Sequence, residues 1–154
     1  EVTNMCRQWT KNLPFKASRF TLEINWPRYY RVIFMLRVLI DACGWVAVIE
    51  AGINIDQALL DCAGTKQLAI VPNVITELNS LNDRKLLVSL LSSKAETITP
   101  PADSGNHTDD QLLAIAIEKK WPILTVDTEL KRRLSQSNIA WIEVSGNSHL
   151  RQVG

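Results

Sequence analysis

The stretch that most constrains this chain runs from Gly105 to Leu134, GNHTDDQLLAIAIEKKWPILTVDTELKRRL. It reads as a helix, a short buried strand and a second, basic helix in close succession. Thr108 is placed to cap the first helix, with Gln111 three residues on at capping-box spacing. Leu112, Leu113, Ala116 and Ile117 fall on one helical face. Trp121-Pro122 ends that helix, because the residue before a proline is pushed from helical toward extended backbone. Ile123-Leu124-Thr125-Val126 lacks the polar alternation of a half-exposed strand and reads as one covered on both faces. Such a strand needs parallel neighbours and crossover helices, so the stretch calls for an open α/β sheet. Asp127 is then the first residue beyond a strand's carboxyl end, the edge at which such sheets bind ligands.

The same grammar holds from Leu36 onward. Arg37 to Ile40 is a short apolar strand with Asp41 directly after it. Trp45 to Glu50 reads as a helical turn broken by Gly52, and Asp56 to Ala63 as an amphipathic helix closed by Gly64. Leu68 to Val71 is the second strand. Pro72 suits the first turn of a helix over Asn73 to Leu81, with Val74, Ile75, Leu78 and Leu81 on one arc and Glu77 at its flank. A further helix spans Asp83 to Leu91, and a weak third strand Glu96 to Ile98. Residues 100–106 are a loop by composition. Ala140 to Val144 forms the last strand, and the tail from Ser145 reads as frayed. Strands alternating with helices predict a parallel sheet with helices on both faces.

Residues 1–34 do not share this grammar. They mix aromatic and basic side chains without periodicity and hold six Lys/Arg against two Asp/Glu, whereas residues 35–154 hold eleven against fourteen. Two readings stand. One is an over-extended start, since Met35 directly precedes the first clean strand. The other is a basic arm offering Trp9, Trp26, Tyr29 and Tyr30 for stacking on RNA or a partner. The expected organisation is therefore an atypical extension, 1–34, followed by one domain, 35–154. The acidic body argues against sequence-independent nucleic-acid binding by charge alone, so any such contact needs a local patch or a metal ion. Cys6, Cys43 and Cys62 show no CxxC spacing and indicate neither a disulfide framework nor a zinc site. A reduced, cytoplasmic setting fits them. No apolar run approaches the ~18 residues of a membrane helix, and no signal peptide is visible.

The acids carry the chemistry. Asp41 and Asp127 follow strands, Glu77 lies on the helix leaving the second strand, and Asp110 lies in the first turn of the helix before the fourth. In a parallel sheet all four project toward one rim. Two carboxylates about 4 Å apart repel by roughly 4 kcal/mol at an effective dielectric near 20. Such a cluster shares protons or binds a hard cation. Oxygen-only ligands favour Mg²⁺ or Mn²⁺ over zinc, and a carboxylate-held ion of this kind suits hydrolysis of phosphodiesters. Plainer roles exist for each acid alone. Asp109 and Asp110 suit any helix N-terminus, and Asp127 is a natural cap for the basic helix. Lys131-Arg132-Arg133 is either a solvated helix face or a phosphate contact. His107 falls in a loop and His149 in the tail, so neither is placed as a base.

From Met35 to about Val144 the chain resembles PIN-domain nucleases, the group containing VapC-type toxins and rRNA-processing endonucleases. VLIDACGWV resembles their first acidic motif, VPNVITEL the second, and HTDDQLLAIAIEKKWPILTVDTELKRRL the third and fourth together. The resemblance implies an α/β/α sandwich on a five-stranded parallel sheet and Mg²⁺- or Mn²⁺-dependent cleavage of single-stranded RNA. Matched motif by motif, it assigns the metal to Asp41, Glu77, Asp110 and Asp127, with Thr125 in the small hydroxyl position ahead of the last acid. The family pattern selects Asp110, whereas the helical wheel puts Asp109 nearer the middle of the apolar arc, so Asp110 is taken as the ligand and Asp109 is kept as its supporting neighbour or an additional ligand. Homodimers are usual in the family, and a toxin would bring a small antitoxin partner. Asp41-Ala42-Cys43 departs from the common Asp-Thr-Asn or Asp-Ser-Ser. The polar groups that orient the first acid are then missing or supplied elsewhere, which opens an alternative: a catalytically weak module that binds RNA or a protein without cutting. An unrelated nucleotide-binding domain is disfavoured, for no GxGxxG or Walker sequence is present.

Overall fold

The computed structural model describes residues 36–81, 85–146 and 149–154; the expected N-terminal extension and its aromatic side chains lie outside them. The chain enters β1 (Val38–Ile40), turns through α1 (Ala42–Glu50) and α2 (Ile55–Ala63), and crosses to β2 (Leu68–Ile70). Then follow α3 (Pro72–Ser80), α4 (Lys85–Lys94), β3 (Ala95–Thr97), α5 (Thr108–Lys119), β4 (Ile123–Leu124), α6 (Thr128–Gln136), β5 (Trp141–Ser145) and β6 (His149–Val153). The strands form one sheet in the order β3-β2-β1-β4-β5-β6. β1 to β5 run parallel, and β6 returns antiparallel to β5. Among the described residues no single helix is long and apolar enough to cross a membrane.

This is the expected α/β/α architecture with six strands in place of five. The extra one is the tail that reads as frayed. Gly146, in the left-handed region at φ 58°, helps turn the chain back. Leu150 is buried between exposed neighbours, and Arg151 reaches across to Glu143 at 2.5 Å. A half-buried edge strand rich in polar residues looks, in sequence, like a solvated tail.

β1, β2 and β4 are buried at every position, the pattern that makes parallel strands continuous apolar runs. Trp45, fully buried, donates its indole N–H to the Leu87 carbonyl at 3.0 Å and ties α1 to α4. Helix α2 ends as the sequence implies, at Gly64 in the left-handed conformation. Pro72 occupies the first turn of α3. The expected start of α4 at Asp83 lies outside the described residues.

Two helices differ from expectation. α1 is a full helix from Ala42, not a turn from Trp45. Gly44 argues against a helix on propensity, but a Cβ there would sit 2.3 Å from the Leu124 carbonyl oxygen and 3.0 Å from the Thr125 Cα. The glycine is what lets α1 press onto the backbone of β4. In α5 the buried side is Gln111, Leu112, Ile115 and Ala116, while Ile117 is 42% exposed. The run LLAIAI is apolar nearly all round, so hydrophobicity alone does not choose the face. Contacts at the first turn choose it instead.

Candidate active site

The sheet grows outward in opposite directions from the β1–β4 pair, with β2 and β3 on one side and β5 and β6 on the other. Beyond the carboxyl ends of two such strands lies the switch-point crevice at which α/β sheets take ligands. Asp41 follows β1 as the N-cap residue of α1, and Asp127 follows β4 as the N-cap residue of α6. Both carboxylates therefore stand at the positive ends of helices, which favours their charge.

The two acids belong to one hydrogen-bonded chain. Asp41 is 5% exposed. Its Oδ2 accepts the Thr125 hydroxyl at 2.7 Å and the Cys43 thiol at 2.7 Å. Thr125, fully buried, in turn accepts the Asp127 backbone N–H at 3.0 Å. Asp127 Oδ1 accepts the Leu130 N–H at 2.7 Å, the capping bond expected of it. The orienting groups that the Asp41-Ala42-Cys43 sequence seemed to lack are thus Cys43 itself and Thr125. The Cys43 thiol is pushed up to about 11, first by burial and then by the charge and hydrogen bond of Asp41. It stays protonated near neutral pH and serves as a donor.

Glu77 reaches the site from α3, where its Oε1 accepts the Thr108 hydroxyl. That bond corrects the expected capping box. His107, not Thr108, is the N-cap residue of α5, and it makes no side-chain cap bond. The Thr108 hydroxyl faces Glu77, and Gln111 donates instead to the Gly105 carbonyl at 3.1 Å. Asn73 donates to the Asn106 carbonyl at 3.0 Å, so the loop before α5 is held from both helices.

The structure separates the neighbouring acids of α5. Asp109 has its carboxyl held above the ordinary carboxylate range by burial first, then by the negative charges of Asp41, Asp127 and, less, Glu77, with Arg133 opposing them. Asp109 thus feels the charges of the other three acids. Asp110 instead accepts an Arg133 Nη2 bond at 2.6 Å and lies beside Gly105. The basic run is tied down within the chain. Lys131 bonds Glu143 at 3.0 Å, Arg132 bonds Glu129 at 2.9 Å, and Arg133 bonds Asp110. Of the three cations, Arg133 is the one whose charge reaches Asp109.

Among the described residues, no three His, Cys, Asp or Glu side chains stand close enough to form a ready-made metal cage. The donor set nonetheless suits a hard divalent cation. It is all oxygen, and Asp41, Glu77 and Asp127 each have one carboxylate oxygen held by protein donors and the second outside those bonds. Outer hydrogen bonds of that kind orient the ligands of metal sites.

Sequence reasoning named Asp41, Glu77, Asp110 and Asp127 as ligands, with Thr125 in support and Asp109 as an additional candidate. It missed Thr108 as the partner of Glu77, Cys43 as a donor and Gly44 as the close-approach residue. Only Cys43 had a local signal, its place two residues after the first acid.

No protein-family model matches this chain, and no curated protein matches it. Among solved structures, it is similar to the PIN domain endonuclease Utp24, with a TM-score of 0.66 and 22% identity over 75% of this chain and 90% of that one. The fold is that of a PIN domain.

Proposed function

We propose that this chain is a divalent-metal-dependent endoribonuclease that hydrolyses phosphodiester bonds of single-stranded RNA. The observation that carries the reading is the hydrogen-bonded chain from Asp41 through Thr125 to Asp127 at the switch-point rim of a PIN fold, with Glu77 bonded to Thr108 at the start of α5. Asp41, Glu77, Asp109 and Asp127 would hold Mg²⁺ or Mn²⁺. When bound, such an ion makes water acidic enough to act as a nucleophile and offsets charge on the phosphate. The chain's own residues do the rest. Thr125 and Cys43 fix the orientation of Asp41, the α6 N-terminus fixes Asp127, and Thr108 fixes Glu77. Asp110 holds Arg133 beside the cluster, where its guanidinium is placed to meet a phosphate oxygen. In this reading the third ligand is Asp109, and Asp110 is its supporting neighbour.

A second reading, a PIN-fold module that binds RNA or a protein without cutting, draws on the absence of a ready-made metal cage among the described residues. Within the nuclease reading, a toxin and an RNA-processing enzyme share this site; an adjacent small antitoxin gene favours the first. Homodimer formation and a cytoplasmic setting complete the proposal.

The test uses the full chain on mixed-sequence single-stranded RNA with Mn²⁺, Mg²⁺ or EDTA. Cleavage is expected with either ion and none with EDTA. Asp109→Asn is expected to lower the rate more than about 100-fold, with Asp110→Asn less damaging. Mn²⁺ is expected to raise the melting temperature of the unmutated protein and not of Asp109→Asn. A protein that Mn²⁺ neither activates nor stabilises sinks the nuclease reading.

A further inference from the structure

Among the described residues, the acids of the candidate site have one cation close at hand. Arg133 Nη2 donates to Asp110 Oδ1 at 2.6 Å, a bond that joins the last turn of α6 to the first turn of α5. Its neighbours are engaged elsewhere: Lys131 bonds Glu143 at 3.0 Å and Arg132 bonds Glu129 at 2.9 Å. Asp109, one residue before Asp110, feels the Arg133 charge against those of Asp41, Asp127 and Glu77.

Two properties set this placement apart from an ordinary ion pair. A guanidinium is not deprotonated in proteins, so its charge is permanent. The pair is also open to water, with side chains 29% exposed for Arg133 and 39% for Asp110, and an ion pair this open is held weakly. A divalent ion taken up by Asp41, Glu77, Asp109 and Asp127 brings a like charge beside the guanidinium. Attraction to that cluster then turns to repulsion, and Asp110 is left alone to hold the arginine. A phosphate is the better partner, because two of its oxygens match the planar fork in a bidentate contact.

We propose that Arg133 is the built-in counter-cation of the acid cluster: it balances the acids in the metal-free chain, leaves Asp110 as a divalent ion is taken up, and then holds an RNA phosphate. The proposal deepens the nuclease reading and rests on it. It makes metal and RNA cooperative ligands, since each favours the state in which Arg133 is off Asp110. The coupling is the same whichever binds first.

The experiment has two arms, both on the full chain. In the first, free Mn²⁺ is followed by its electron spin resonance signal as it is titrated into protein without RNA. Arg133→Gln is expected to bind Mn²⁺ about fivefold more tightly than the unmutated protein, at the low end of coupling between linked sites. Arg132→Gln, one residue away, is expected to match the unmutated protein, and Arg133→Lys to fall close to it. In the second arm, binding of a single-stranded oligoribonucleotide is followed by fluorescence anisotropy against salt, with Ca²⁺ or with EDTA, on strands that gels show to be intact. With Ca²⁺, the log–log salt slope of Arg133→Gln is expected to be shallower than that of the unmutated protein by about one, the mark of one lost phosphate contact. In EDTA the two slopes are expected to coincide, because the arginine is then on Asp110. Asp110→Asn is expected to depart from the unmutated protein in EDTA, with a slope steeper by about one. Equal Mn²⁺ affinity in Arg133→Gln and the unmutated protein refutes the exchange, and so does an equal gain in Arg132→Gln. Slopes that differ as much in EDTA as in Ca²⁺ refute the hand-over, for Arg133 then meets RNA whether or not metal is bound. A bond that only pins α5 to α6 lowers the melting temperature of Arg133→Gln and Asp110→Asn alike and moves neither readout, which also refutes the proposal. If neither the unmutated protein nor Arg133→Gln binds Mn²⁺, the nuclease reading has failed and the counter-cation with it.

Discussion

Replacing Thr125 by Val keeps the shape of the side chain and deletes its hydroxyl. That hydroxyl is fully buried; it donates to Asp41 Oδ2 at 2.7 Å, accepts the Asp127 N–H at 3.0 Å and lies 3.5 Å from the Cys43 sulfur. The first contact goes to a carboxylate that is 5% exposed and is a charge-assisted bond, worth roughly 1.5–3 kcal/mol. The second leaves a backbone donor without its partner, for about 1 kcal/mol more. The retained methyl groups keep the packing, so the expected loss is about 2–4 kcal/mol of stability. With a urea slope of roughly 2 kcal/mol per molar, that moves the unfolding midpoint down by about 1–2 M. The assay is urea unfolding of the unmutated protein, Thr125→Val, Asp41→Asn and the double variant. The Thr125 and Asp41 losses should be strongly non-additive, because one variant removes and the other weakens the same charge-assisted bond. The Mn²⁺-induced rise in melting temperature should shrink in Thr125→Val, since Asp41 loses a hydroxyl that orients it. A loss below about 0.5 kcal/mol, or additive losses in the double variant, would refute the claim that Thr125 couples the two acids.

Other perturbations test other parts of the argument. Gly44→Ala puts a methyl 2.3 Å from the Leu124 carbonyl oxygen, which only a shift of α1 relieves. It should cost about 1–3 kcal/mol or more, a fall in Tm of roughly 5–10 °C by thermal melting, with weaker Mn²⁺ stabilisation. The carboxyl of Asp109 is raised in the folded chain, so the unmutated metal-free protein should lose stability as pH rises from its unfolded toward its folded pKa. Asp109→Asn should therefore stabilise the metal-free protein at neutral pH and bring no gain at pH 3, as read from melts across that range. Glu143 is held down to about 2 from an ordinary 4.5, chiefly by the Arg151 and Lys131 bonds. Its contribution is present above pH 4.5 and disappears as pH falls toward 2, so Glu143→Gln should flatten the acid limb of the stability curve.

Much of the fold was legible because parallel strands announce themselves. The runs at Val38–Ile40, Leu68–Ile70 and Ile123–Leu124 are apolar without alternation, and each is followed by a helix start. The positions of Asp41 and Asp127 were legible from the same grammar, for an acid just past a buried strand has one rim to point to. What stayed hidden depends on partners distant in sequence. Thr108 looks like a cap until Glu77, 31 residues earlier, is brought beside it. Gly44 looks like a helix breaker until the backbone of β4 lies against it. The choice between Asp109 and Asp110 turns on the rotation of α5, and an almost wholly apolar helix does not state its own rotation. β6 was missed for another reason: its burial is half a strand deep and its polar residues pair across a hairpin.

The bond between Thr125 and Asp41 joins residues 84 positions apart, and β1 finds β4 only across that same span. A chain leaving the ribosome carries Asp41 and Glu77 early and waits for nearly all of the domain before it has Thr125 and Asp127. Contacts so distant along the chain close late and slowly. In the nuclease reading, the acids that would hold the metal are therefore aligned late in folding.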